Sequence, residues 1–457
     1  MLQRLTFWDY IMSASGMLVR FSVGNFRSFD NIQTFSLIAG NAKNHSERLY
    51  SAPDFKLLKF AAIFGANASG KSNLIKAVRY ASLIVIGGME SDSAARSRTC
   101  YYRLDHQNKD KNSYFEFEIL IDDVVYAYGF EISLFNRKIK EEWLIRLEKT
   151  GDMPIYTRNT EGTSYFNESY LNSDNADRMR VYLEDYNHVT NKLFLTEIVS
   201  NKNDLYKNND SLSVLKNVYN WIASLNVLSP DMPLSGYALS ADDFSELLNA
   251  LKSFDIGISN IVYKEISKEQ ALAKTDSDFK LLINNEIDKL RKLDLKNKKV
   301  LKINIAGRFI LLCLEDDEPH FREVRFEHFN VSDVTFSLGE ESAGTRRLLD
   351  LLSVFFARDG GVFIADELDR CLHPQVTLHF VKKYLQIAGK RNIQLIITTH
   401  ESRLLNLNLL RNDEIYFMDR NKTGFSAIVL FDDYSERFGN KIDAAYLDGR
   451  YGAVPLL

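Results

Sequence analysis

Cysteine is scarce in this chain, and its three copies, Cys100, Cys313 and Cys371, lie far apart. No pair has the spacing of a zinc ligand set, and three dispersed thiols make no disulfide framework. That usage suits a reducing cytosol. Long apolar runs are missing too. A membrane helix needs roughly 18 apolar residues in succession; the best candidates, "ASLIVIGGM" and "LLDLLSVFFA", fall short and read as core helix segments. The opening "MLQRLTFWDYIMSASG" has one arginine and an apolar stretch broken by Asp9, which makes a poor signal peptide. It reads as an upstream extension or a mis-chosen start, with the fold opening near Met17. A strong charge of one sign is also lacking. The formal net charge of −4 exerts no global pull on nucleic acid or anionic lipid, although a local basic groove is compatible with it. No internal repeat or low-complexity segment stands out.

What is present is an ordinary globular composition, 45% hydrophobic and 26% charged, in a 457-residue chain long enough for two or three lobes. From Met17, "LVRFSVGNFRSF" alternates as a half-buried strand does. "FAAIFGANASGKSNLIKAVRYASLIVI" reads as strand, loop and helix. Residues 113–145 read as three antiparallel strands, with turns at Asp122-Asp123 and at the polar "NRK" after Phe135. Between about 150 and 300 the character changes. "TRNTEGTSYFNESYLNSDNADRM" is polar and loop-like, and helical stretches such as "SADDFSELLNALKSF" follow. Phe279, Leu282, Ile283, Ile287 and Leu290 fall on one face at helical spacing, over too short a span for a coiled coil. Strand–helix alternation then returns to the end of the chain. The expected division is 17–150, a mainly helical insertion over 151–300, and 301–457.

"GANASGKS", residues 65–72, matches G-x-x-x-x-G-K-[ST] in full, after an apolar strand and before a helix. Gly65 and Gly70 let the backbone fold around phosphate with its amides turned inward. Lys71 neutralises β/γ oxygens, and Ser72 supplies a hydroxyl to Mg²⁺. Asn67, Ser69 and Asn73 are grouped with them as nucleotide-binding residues. The alternative is a glycine turn that merely precedes a helix, but the full match in this context speaks against it.

Three later stretches extend the pattern. "GGVFIADELDRCLHP" runs four apolar residues into two acids. Asp366 would sit near the Mg²⁺ shell, and Glu367 would face an attacking water as general base; a solvated turn is the other reading of such a pair. "IQLIITTHES" ends an apolar strand in Thr398, Thr399 and His400. That histidine is suited to the γ-phosphate or the attacking water, unless it is structural. "SLGEESAGTRRLLDLL" reads as a loop and a helix starting near Ser342. Ser342 and Gly344 either present amides to an incoming phosphate or are an ordinary helix start with a serine cap.

Lys71 and Asp366 stand about 295 positions apart, so the two halves of any site must meet in space around a large insertion. A P-loop near the start, followed late by S-x-G, D-E and His, resembles the ABC-type ATPase heads, which include RecF-, SMC- and OLD-like proteins. The resemblance implies an α/β fold: a mixed sheet with flanking helices, an antiparallel β subdomain and a largely helical insertion. It implies ATP and Mg²⁺ as cofactors, and Ser342 and Gly344 acting in trans on nucleotide held by a second copy. "VGNFRSFDNIQTFSLIAG", "FGANASGKSNLIKA", "ESAGTRRLL", "ADELDRCLHP", "ITTHE" and "DGRYGAVPLL" together look like the prokaryotic OLD-like ATPases of antiphage defence, RloA and the PARIS ATPase subunit among them. There are departures: "SAGTRR" is not LSGGQ, and no Q-loop glutamine stands out, Gln107 lying in "YRLDHQNK".

Only about 57 residues follow His400, too few for a Toprim nuclease with its own core. The resemblance therefore implies a separate effector, a Toprim- or HNH-type nuclease from the same operon, and a cytoplasmic homodimer or higher homo-oligomer joined through its heads. A phage protein or DNA is the implied trigger. The alternative is a RecF-like ATPase of DNA maintenance. A GTPase-like regulator is disfavoured, because no N-K-x-D-type guanine reader is found.

Overall fold

The computed structural model describes residues 16–90, 97–170, 173–201, 212–230, 244–273, 275–292, 300–305, 307–357, 359–434, 442–448 and 451. Most of the opening segment and most of the closing "DGRYGAVPLL" lie outside the described residues. By contacts the chain forms two units. The larger comprises Ile11–Val227, Arg358–Leu368 and Val381–Leu457; the smaller comprises Leu228–Ala357 and Asp369–Phe380.

Two sheets organise the larger unit. One is antiparallel throughout and runs in the order Tyr165–Phe166, Met153–Asn159, Lys138–Leu147, Val124–Ser133, Ser113–Ile121, Met17–Gly24 and Gln33–Ser36. The three strands expected over 113–145 are its centre. Asp122 and Asp123 form the first turn with φ of +48° and +63°, the left-handed pair that matches strand twist in a two-residue hairpin.

In the other sheet Val362–Ala365, Gln394–Thr398, Phe60–Phe64 and Ile415–Arg420 lie parallel in that order, and Ser426–Leu430 closes the edge antiparallel. Phe60–Phe64, Val362–Ala365 and Gln394–Thr398 are buried along their whole length, as strands covered on both faces must be. The helix Lys71–Gly87 packs Leu74, Ile75, Ala77, Val78, Ala81, Ile84 and Val85 into a core shared with both sheets. Buried Gln394 stitches the sheets together: its side chain accepts the Leu18 N–H at 2.7 Å and donates to the carbonyls of Leu18 and Leu58 at 3.0 Å.

The polar stretch 157–179 is more ordered than its composition suggests. It holds the end of strand Met153–Asn159, the short strand Tyr165–Phe166 and the start of helix Ser173–Tyr186. Phe166, Met179 and Leu183 are buried, and three apolar anchors at suitable spacing outweigh the polar background.

The smaller unit carries an antiparallel sheet ordered Ile258–Ile266, Glu318–His328, Arg308–Glu315 and Val300–Ile305, with Val331–Ser337 also paired to Glu318–His328. Helix Ser277–Lys292 covers it with Ile283, Ile287 and Leu290. Leu282 does not share that face, contrary to the helical-spacing reading: it is 41% exposed, while Glu286 is buried in the stripe between Ile283 and Leu290. A 100° step per residue carries Leu282 past the boundary of the buried arc. Helix Ala343–Leu351 begins where expected, with Ser342 as its cap.

Candidate active site

The fully buried strand Phe60–Phe64 delivers the chain into the loop 65–70, and helix Lys71–Gly87 starts directly after it. Gly70 is the helix N-cap at φ +115°, a conformation that side chains rarely adopt, and a Cβ there would also meet Ser28 Oγ at 2.9 Å. Gly65 is needed for closeness: its Cβ would stand 2.6 Å from both the Met418 carbonyl and Ser69 Oγ. Ala68 takes φ +62° at the exposed tip, next to exposed Asn67.

Lys71 is buried, and its ammonium donates to the carbonyls of Gly65 at 2.6 Å and Ala66 at 2.9 Å. The cation therefore lies across the mouth of the loop rather than out in solvent. Tyr446 backs the loop; burial raises the pKa of its hydroxyl, and a hydrogen bond with the Gly65 backbone partly offsets this.

The parallel strands Val362–Ala365 and Gln394–Thr398 bring the second half of the site to the same sheet edge, because both end beside Phe60–Phe64 or one strand away. Ser72 Oγ donates to Asp366 Oδ1 at 3.1 Å. Thr398 Oγ1 donates to the same oxygen at 2.7 Å. Asp366 is buried, and the next residue, Glu367, is held at φ +48°. The Thr399 N–H donates to Ile63 O at 3.1 Å, and exposed His400 follows directly. Lys71, Ser72, Asp366 and Glu367 thus gather at the carboxyl ends of neighbouring strands, with His400 two residues beyond Thr398. Ligands bind at that end of an open α/β sheet.

Ser28, Ser426 and Arg420 support this site without having been assigned a role from the sequence. Asn73 Nδ2 donates to Ser28 Oγ at 2.8 Å. Ser426 donates its hydroxyl to Ser69 O at 2.6 Å and its backbone N–H to Ser28 O at 2.8 Å. Arg420 Nη1 donates to Ala68 O at 3.3 Å. Ser28 lies in "NFRSF", in a turn beyond strand Met17–Gly24, where the alternation suggests that the strand continues; nothing local distinguishes Ser426 or Arg420, because their partners are more than 350 residues away.

Ser342 and Gly344 belong to the smaller unit. Ser342 is exposed; its hydroxyl accepts the Thr345 N–H at 3.0 Å and lies 2.8 Å from Thr345 Oγ1. The serine-cap geometry is therefore real, and it leaves the first backbone amides of the helix pointing along its axis. Gly344 has a packing reason of its own, since a Cβ there would lie 2.7 Å from the Cys371 carbonyl.

Among the described residues, no group of three or more His, Cys, Asp or Glu side chains could hold a metal ion by itself. Mg²⁺ does not need one: it keeps several waters and takes one or two protein oxygens plus substrate phosphate. The Ser72 hydroxyl and the Asp366 carboxylate are hard oxygen donors meeting at one point, and they fit that requirement.

Fold and site together define an α/β P-loop nucleoside triphosphatase with an antiparallel β subdomain. The family model described as "AAA domain, putative AbiEii toxin, Type IV TA system" matches residues 60–406, and the chain belongs to that family. It is an ATPase of this P-loop class. None of the curated proteins compared with it matches. Solved structures similar to the chain include an SMC head bound to the C-winged helix domain of ScpA, at 14% identity over 90% of this chain and 97% of that one, with a TM-score of 0.41. The SMC head domain from Thermotoga maritima matches at 14% identity over 90% and 98%, TM-score 0.36. The Smc head with an extended coiled coil, bound to the C-terminal domain of ScpA derived from Pyrococcus furiosus, matches at 16% identity over 91% and 96%, TM-score 0.34. No described helix is long and apolar enough to cross a membrane.

Proposed function

We propose that the chain is a cytoplasmic Mg²⁺-dependent ATPase that acts as the sensor or switch of a two-component antiphage system, controlling a separately encoded toxic nuclease. The observation that carries the catalytic part is the Ser72–Asp366 hydrogen bond, which joins the P-loop to the acidic strand end. Gly65, Asn67, Ser69, Gly70, Lys71 and Asn73 cradle the triphosphate with backbone amides and the Lys71 ammonium. Ser72 and Asp366 are the residues that would hold Mg²⁺, which when bound neutralises charge on the phosphate oxygens.

Glu367 accepts a proton from the water that attacks the γ-phosphorus, and the bond to the β,γ-bridging oxygen breaks to leave ADP and phosphate. His400 donates to the γ-phosphate oxygens. The exposed start of helix Ala343–Leu351, with Ser342 and Gly344, completes the site of a second copy, so that turnover follows head-to-head closure.

The switch part is supported by the family description as a putative toxin of a type IV toxin–antitoxin system. Co-expression with the neighbouring reading frames tests it. A nuclease that co-purifies with this chain and is released or activated by a phage protein is the expected result. Nuclease activity in the chain alone, or tight ATP-dependent DNA binding with steep salt dependence, would turn the reading towards DNA maintenance.

A further inference from the structure

The side chain of Thr398 is completely buried at the carboxyl end of strand Gln394–Thr398, and its hydroxyl works in two directions. It gives its proton to Asp366 Oδ1 at 2.7 Å and accepts the backbone N–H of Glu367 at 2.8 Å. The Thr398 carbonyl accepts the next backbone donor, Leu368 N–H, at 2.9 Å. Parallel register explains the meeting. Ala365 lies opposite Ile397, so Asp366 and Thr398 leave their strands side by side.

Glu367 stands at φ +48°, a left-handed conformation unfavourable for any residue with a Cβ. Such conformations persist when their surroundings over-determine them, and they cluster at functional sites. Here the over-determination has a visible source: two successive backbone N–H groups, at Glu367 and Leu368, are tied to a single threonine.

We infer that Thr398 is the positioning residue for both acids of the site. It orients the carboxylate of Asp366 toward the metal, and it fixes the backbone twist that aims Glu367 at the attacking water. This rests on the roles proposed above for Asp366 and Glu367. A hydroxyl at this position is essential, because only a group that donates and accepts at once can serve both neighbours. Valine has nearly the same shape and can do neither. Serine can do both.

Thr398→Val and Thr398→Ser, compared with Lys71→Ala and Glu367→Gln, test the inference. Expected for Thr398→Val is a fall in kcat of about tenfold or more, with ATP affinity measured in EDTA within about threefold of the parent protein. The Mn²⁺ concentration needed for half-maximal ATP-dependent Mn²⁺ binding, followed by electron paramagnetic resonance, should rise. Thr398→Ser should restore most of both quantities. Wild-type turnover and Mn²⁺ binding in Thr398→Val, beside an inactive Lys71→Ala, would overturn the inference alone. Equal losses in Thr398→Val and Thr398→Ser, with lowered melting temperatures in both, would also overturn it by showing a packing role. Undiminished turnover in both Lys71→Ala and Glu367→Gln would remove the reading of the site, and this inference with it.

Discussion

Ser72 and Asp366 are 294 residues apart in the chain and 3.1 Å apart at their side-chain oxygens. Four parallel strands make that contact possible by ending on the same side of one sheet, so that the start of the P-loop helix faces the acidic pair. The site's chemistry follows from this convergence, and so do the first two expectations.

Lys71→Ala should abolish tight ATP binding. The ammonium is buried over the Gly65 and Ala66 carbonyls and is the cation of the loop itself, so its loss removes a charge-assisted contact to phosphate. Calorimetry with ATP is the measurement, with an expected loss of at least about a hundredfold in affinity, or about 2.7 kcal/mol. Unchanged affinity would put the nucleotide elsewhere.

Glu367→Gln should keep ATP bound and slow hydrolysis by about a hundredfold or more, because glutamine preserves shape and hydrogen bonding but cannot take the water's proton. Sedimentation with ATP should then show an accumulated dimer, since the closed state no longer turns over. A variant that hydrolyses ATP at the normal rate would assign the base elsewhere.

The antiparallel sheet of the larger unit contains a buried ion pair with direct consequences for stability. Glu142 and Arg158 are completely buried at the side chain, with Arg158 Nη1 3.1 Å from Glu142 Oε2. The same carboxylate accepts from the Tyr128 and Tyr156 hydroxyls and from the Phe194 and Leu195 N–H groups at the start of helix Phe194–Asn201. Burial, followed by the Glu142 charge, pushes both tyrosine pKa values well up. Arg158→Ala leaves this carboxylate buried without its cation and should cost about 3–5 kcal/mol in urea unfolding. The double variant Glu142→Gln/Arg158→Met should recover much of that; if it does not, the arginine contributes by packing rather than by charge.

A pH dependence follows from Glu414. It is buried beside the strand Ile415–Arg420, and burial raises its pKa to about 8, with the Arg411 backbone hydrogen bond and the Arg48 and Arg411 charges acting in the opposite direction and the Asp413 charge reinforcing the rise. The folded protein therefore holds a proton here that the unfolded chain releases near pH 4.5. Stability from this group is complete below that pH and is lost as pH rises through about 8, because folding then requires either proton uptake or a buried charge. The melting temperature should fall across that window by calorimetry. Glu414→Gln should flatten the slope, and an unchanged slope would assign the effect to other groups.

How much of this was legible beforehand depends on distance along the chain. The strand Phe60–Phe64, its loop and its helix are local, and eight consecutive residues carry their own phosphate chemistry. The acidic pair and His400 follow short apolar runs, and those runs are local enough to be legible as the strands Val362–Ala365 and Gln394–Thr398. Thr398 stood in the same "TTH", but no pattern separates a threonine that ties two carboxylate-bearing residues from one that simply ends a strand. Leu282 was misread for a different reason: periodicity states which residues share an arc, and the width of the buried arc is set by the partner surface.

Residue order alone was enough to specify strands, turns and a phosphate loop, because those depend on neighbours within a few positions and on the fixed geometry of the backbone. The meeting of Ser28, Ser72, Asp366, Thr398 and Ser426 was left to folding. Hydrogen bonds between side chains hundreds of residues apart carry no periodic trace in the chain; they exist only once parallel register has lined up the strand ends.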